Sequence, residues 1–211
     1  MPLPPSSFLS AWSAGFAVCL SLIVAIGAQN LMVLRQGLLR RHVGASVAFC
    51  TVADVTLALC GVAGVARVLE GRADWAAWLS AAGGMFLLGY GALALRRAWR
   101  GGSAAMADGA GTARLRTVLA QLAAFTLLNP HVYFDTLVII GPLGARQPGV
   151  LKGVFVAGVG SASLLWFAAL GYGARVLRPW FARPAAWRVL DAATGGMMLG
   201  LAAWLMAGAR L

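Results

Sequence analysis

Apolar residues run along this chain in six long stretches, at about 8–34, 44–66, 75–95, 118–142, 150–174 and 187–208. Polar and basic residues gather in the gaps between them. A helix needs about 20 apolar residues to cross the hydrocarbon core of a bilayer. The pattern therefore predicts an all-α fold, a polytopic membrane protein of six transmembrane helices. The first stretch reads as a span and not as a signal peptide, because Met1 to Ser7 holds no Lys or Arg for a basic leader.

Between the third and fourth stretches, Gly101-Gly102-Ser103 through Gly109-Ala110-Gly111-Thr112 is small, polar and turn-rich. It predicts a flexible cytoplasmic linker over 101–116, which separates residues 1–100 from 117–211. The two sides resemble each other. Trp75 precedes Ala82-Gly83-Gly84-Met85 as Trp187 precedes Thr194-Gly195-Gly196-Met197, an offset of 112 residues. Ala66-Arg67-Val68-Leu69 and Ala174-Arg175-Val176-Leu177 match at an offset of 108. Each side holds three predicted spans, and an odd number reverses the entry side of the second. Two inverted three-helix repeats follow, a plan that places a transport site at the repeat interface near the midplane. Chance likeness between Ala- and Gly-rich segments is the alternative. Gly61, Gly64, Gly83, Gly84, Gly195, Gly196 and Gly200 lie inside spans, where small residues let backbones approach. Such faces permit a homodimer without requiring one.

Charge sets the orientation. The loops after the first, third and fifth spans hold twelve Arg, and the opposite face holds five Lys and Arg. The positive-inside rule puts the first set in the cytoplasm and both termini outside. Trp12, Trp75, Trp78, Trp99, Trp180, Trp187 and Trp204 fall near span ends, as an interfacial belt requires.

Composition narrows the class further. Hydrophobic residues make up 61% and charged residues 11%, against roughly 45–50% and 25% in soluble chains. This excludes a soluble enzyme, a disordered chain and a disulfide scaffold. The net charge of +11 comes from short clusters between apolar runs. Nucleic-acid binding would need a continuous basic stripe, so it is excluded as well. Cys19, Cys50 and Cys60 have no ligand or redox spacing and read as buried thiols. No metal or other cofactor is expected.

The informative residues are polar ones inside apolar spans. Asp54 lies in Thr51-Val52-Ala53-Asp54-Val55-Thr56 and Asp135 in Tyr133-Phe134-Asp135-Thr136. An Asp at a helix centre costs about 2.5–3.5 kcal/mol to insert. An ion pair or a protonated carboxyl would offset it, but no Lys or Arg lies at comparable depth in a span. The partner then comes from outside, as a cationic substrate or a proton. In Leu128-Asn129-Pro130-His131 the proline cannot donate to Thr126, so the fourth span breaks. Asn129 suits an N-cap and Pro130 a first helical position, so a half-helix would aim its positive end at a carboxylate. A plain proline kink is the alternative. His131 shares a face with Asp135 and serves either a structural bond or a proton relay. The first span has a matching interruption, Gly27-Ala28-Gln29-Asn30, whose amides can bind an amino acid's backbone groups or tie helices together. Asp191 lies one turn from Arg188 and reads as an interfacial ion pair.

Gly27-Ala28-Gln29-Asn30 with Arg35-Gln36-Gly37, Asp54, the string Leu128 to Thr136, and Ser163 to Phe167 together resemble the LysE/ArgO family of basic amino acid exporters. The likeness spans nearly the whole chain. One departure is Ala28, where the family often has proline. The resemblance implies a multi-pass protein of the bacterial inner membrane. It would export L-arginine and L-lysine by secondary transport on the electrochemical gradient, with Asp54 and Asp135 as the positions carried over. The residues support the same site. Asp54 and Asp135 would take the cationic side chain and serve proton coupling, with His131 beside them. Gln29, Asn30, Asn129 and Pro130 would take the carboxylate. Export of a neutral amino acid such as threonine or homoserine is one alternative. A membrane enzyme is another, but His42 and His131 are the only histidines and supply no catalytic cluster.

Overall fold

Proline, glycine and left-handed turns punctuate the apolar runs into nine α-helices among the described residues. The computed structural model describes residues 5–24, 27–64, 73–100 and 114–208. They run α1 (Pro5–Ile23), α2 (Ala28–Leu39), α3 (Val43–Val62), α4 (Ala73–Arg100), α5 (Leu115–Leu127), α6 (Pro130–Tyr133), α7 (Gly141–Ala145), α8 (Leu151–Gly173) and α9 (Pro184–Gly208). A π-helical segment, Phe134–Ile140, joins α6 to α7, and two 3₁₀ turns, Ala174–Leu177 and Trp180–Ala182, join α8 to α9. No strand occurs among the described residues, so the all-α class holds.

Among the described residues, three helical stretches are long and apolar enough to cross a membrane, Ser6–Ile23, Val43–Val62 and Leu151–Leu177. Leu115–Leu127 with His131–Ala145 makes a fourth if the broken pair is one span. The first predicted span is therefore not one helix. It ends at Ile23 and restarts at Ala28, with Gly27 extended ahead of it. Even without a proline at position 28, the helix interrupts. The segment Ala66–Leu69 and most of the linker, 101–113, lie outside the described residues, and Leu115 and Arg116 already belong to α5.

The helix ends have identifiable causes. Arg40 closes α2 in the left-handed region (φ 54), its N–H donating to Gly37 while the N–H of Arg41 donates to Gln36. That wraps the last carbonyls of the helix. Gly64 (φ +86) ends α3 in the same way. Pro130 has no N–H, and the residue before a proline disfavours helix, so α5 stops at Leu127 and the chain resumes at Pro130.

The chain forms two compact units. The first comprises Met1–Ile26, Val47–Ala73 and His131–Ala168. Its core is Cys19, Ala58, Ile140, Phe155, Val156, Val159 and Ala162. Here α1 crosses α8 through small residues: a Cβ on Gly158 would collide with the Trp12 backbone. The Trp12 indole donates to Ser161 Oγ at 3.3 Å. Gly61 of α3 lies against Gly141 and Thr136, where a Cβ would come within 2.6 Å of the Thr136 carbonyl oxygen. The first unit thus clamps the π-segment, whose i→i+5 bonding is a local widening of the helix.

The second unit comprises Gly27–Ser46, Asp74–Pro130 and Ala169–Leu211. One core cluster is Leu31, Leu38, Ala174, Trp187 and Leu190. A second contact group is aromatic, with Tyr90 and Phe125 edge to face at 4.9 Å and Phe86 within 5.2 Å of Phe125. Trp187 does not join an interfacial belt. It is buried, and its indole donates to the Phe181 carbonyl at 2.9 Å. Trp99, Trp180 and Trp204 are exposed as a belt requires, while the side chains of Trp75 and Trp78 lie outside the described residues.

Candidate functional site

In the first unit, α3 carries Asp54 midway along an apolar helix. Ser163 of α8 donates its hydroxyl to Asp54 Oδ2 at 2.7 Å. Thr51, one turn earlier on α3, has its Oγ1 buried without a hydrogen-bond partner. Asp54 and Thr51 thus form a polar stripe on a helix that is otherwise apolar.

Asp135 sits in the π-segment. His131 Nδ1 lies 3.3 Å from Asp135 Oδ1, the i,i+4 pairing expected of these positions. The Asp135 side chain is about a quarter exposed and that of His131 about half, so both are open to an incoming group. Thr136 Oγ1 donates to the Val132 carbonyl at 2.6 Å, across the junction where the helix widens. Among the described residues, neither Asp54 nor Asp135 forms a salt bridge with Lys or Arg. No group of three or more metal-ligating side chains occurs among them either.

The second unit holds the amides. Gln29 and Asn30 occupy the first turn of α2, after the extended Gly27. The first backbone N–H groups of a helix lack intrahelical acceptors, and its positive end favours an anion. Asn30 is buried, and Gln29 Nε2 is buried with no hydrogen-bond partner. Asn129 lies in the break after α5, and Pro130 takes the first position of α6. The expected residues therefore fall into two groups. Asp54, Asp135 and His131 belong to the first unit; Gln29, Asn30, Asn129 and Pro130 belong to the second.

Sequence reading missed one charged cluster. Asp191 does not pair with Arg188, which is exposed. Asp191 is fully buried, and its Oδ1 accepts from Arg35 Nη1 at 2.7 Å and from Arg97 Nε at 3.3 Å. The partners come from α2 and α4, while Arg188 lies on the outer face of α9. Asp191 Oδ2 and Arg97 Nη2 are buried with no partner. Arg35 and Arg97 also line a cavity of about 180 Å³ with Gln36, Arg41, His42 and Gln121. Arg97 packs over the Tyr90 ring, 5.6 Å from its centroid.

The family model of LysE type translocators matches residues 20–208. YggA of Aeromonas salmonicida, provisionally named an amino-acid transporter, is 41% identical over 197 residues, covering 93% of this chain and 96% of its own. A Mycobacterium bovis protein, also provisionally named an amino-acid transporter, is 44% identical over 183 residues, covering 87% of this chain and 90% of its own. The arginine exporter protein ArgO of Yersinia enterocolitica is 38% identical over 190 residues, covering 90% and 93%. No solved structure matches the chain.

Proposed function

The chain belongs to the LysE type translocator family, and on that premise we propose that it exports cationic L-amino acids, arginine and lysine, across a bacterial inner membrane. The observation that carries this reading is the pair Asp54 and Asp135. Each is a carboxylate in an apolar span held by a hydroxyl or an imidazole, and among the described residues neither has a guanidinium or ammonium partner. A cationic side chain supplies the missing charge. The name of the Yersinia relative, an arginine exporter, points the same way.

In this reading Asp54 and Asp135 recognise the cationic end of the substrate. The unpartnered Gln29 amide, Asn30, Asn129 and the helix start at Pro130 receive its carboxylate. The six predicted spans form two inverted three-helix repeats, 1–100 and 117–211. The Ser163–Asp54 contact supports this: its separation of 109 residues equals the repeat offset to within a few positions. Serine would then stand in one repeat where aspartate stands in the other.

Energetics favours exchange for a proton. Moving one positive charge outward against 100 mV costs about 2.3 kcal/mol. Proton entry in return makes the cycle electroneutral. Asp54 or Asp135 can carry that proton, and His131 lies in contact with Asp135 to relay it.

The test is counterflow of labelled arginine into proteoliposomes loaded with unlabelled arginine. Lysine should compete, and threonine and citrulline should not. Asp54→Asn and Asp135→Asn should each bring counterflow to background, at least a hundredfold down, in protein that still purifies folded. Full counterflow by both variants would refute the carboxylate roles. Competition by threonine and citrulline as strong as that by lysine would mean a neutral amino acid exporter.

A further inference from the structure

We propose that the arginine-lined cavity of the second unit is a separate binding site for the carboxylate of a free α-amino acid. The inference rests on the transport reading for the identity of the ligand, but the site is argued from the cavity alone.

The cavity is lined by Arg35, Arg41 and Arg97, and no acidic side chain is among its lining residues. The acid nearest its chemistry, Asp191, is sealed behind it, with a side chain 1% exposed and one oxygen serving both Arg35 and Arg97. Two guanidinium groups against one carboxylate leave a net positive charge. Arg97 spends only its Nε on Asp191, and its Nη2 is buried without an acceptor. Leaving a buried charged donor unpaired is costly, and a guanidinium fork matches a carboxylate with two parallel bonds. The walls therefore repel a cationic side chain and favour an anionic end.

Size and shape agree. About 180 Å³ accommodates a small organic acid, whereas an oligonucleotide or a folded partner cannot enter. Met32, Arg35 and Tyr90 are shared with a deeper pocket of only about 10 Å³, walled by Phe125 and Met198, room for about one water. The Tyr90 hydroxyl reaches Met32 Sδ at 3.8 Å, both residues lining the cavity and the smaller pocket. Arg40 and His42 hold the left-handed conformation (φ 54 and 53), a strained turn that sets Arg41 and His42 in the cavity wall. Arg35, Arg41 and Arg97 belong to the segments that the charge count places toward the cytoplasm, the loading side of an exporter.

The experiment measures binding of L-arginine and of L-arginine methyl ester to the full chain in phosphatidylcholine nanodiscs by isothermal titration. The ester keeps the guanidinium and removes the anionic end. L-Threonine and its methyl ester form a second pair. The wild-type chain should prefer acid over ester at least tenfold. Arg97→Gln and Gln121→Leu, the second of which leaves the ion triad intact, should each cut that preference at least threefold, the remainder belonging to the helix starts. An unchanged preference in both variants overturns the cavity site and leaves carboxylate recognition to the helix starts. Loss of preference in the variants for threonine, with no arginine binding in the wild-type chain, upholds the cavity and overturns the cationic-substrate reading instead.

Discussion

Asp54 and Asp191 both lie in apolar helices, yet their surroundings are opposite. Asp54 has a serine and an unpartnered threonine one turn away; Asp191 has two arginines and no exposure. Removing one member of a buried ion network leaves uncompensated charge and costs about 3–5 kcal/mol, whereas replacing the whole network by apolar residues of similar volume costs far less. Asp191→Asn should therefore lower the thermal unfolding midpoint in detergent markedly. The triple replacement of Arg35 and Arg97 by Met and Asp191 by Leu should recover most of that loss, read by fluorescence-detected size exclusion after heating. Asp54→Asn should move the midpoint little, because no counter-charge is stranded. Sequence marked Asp54 as an anomaly in an apolar run, whereas Arg188, one turn away, led Asp191 to be read as an interfacial ion pair. The partners of Asp191 lie 156 and 94 residues away, and no local spacing encodes that. The Ser163 contact joins positions 109 residues apart, which no local spacing encodes either.

At the scale of the element, the breaks were legible because their chemistry is local. The Asn129-Pro130 break needs only a missing N–H, and Gly27 marks the start of α2. The π-segment was not legible, since Phe134–Ile140 reads as ordinary apolar helix and its widening depends on what packs against it. Gly61 is that neighbour, with no space for a side chain against Thr136 and Gly141. Gly153, on α8, faces open space. Gly61→Ala should therefore destabilise by about 1–3 kcal/mol through overpacking, and Gly153→Ala should stabilise by about 0.5–1 kcal/mol through helix propensity. Denaturation in a mild detergent series distinguishes the two signs. The same contrast tempers the glycine stripe seen in sequence: Gly83 and Gly195 touch neighbours, while Gly196 and Gly200 do not.

At the scale of the whole molecule, hydrophobic content carries the class, and basic clustering predicts an orientation. Twelve basic residues on one face predict that a reporter fused after Leu211 lies outside the cytoplasm. Alkaline phosphatase fused there should be active, and a fluorescent protein that folds only in the cytoplasm should stay dark. The reverse pattern would overturn that orientation. The compact units are less legible than the spans, because each collects segments from both sides of the linker. The buried triad adds a constraint on biogenesis. Its acid lies on α9, and its bases lie on α2 and α4, earlier in the chain and so synthesised first. Until α9 arrives, two guanidinium groups wait in a nascent membrane protein without their counterion. The α9 helix in turn gains a ready-made partner for a residue that the translocon would otherwise resist inserting. Arrival of α9 is thereby a charge-neutralising event, and a product truncated before Asp191 would present unpaired basic groups to the membrane's quality-control proteases.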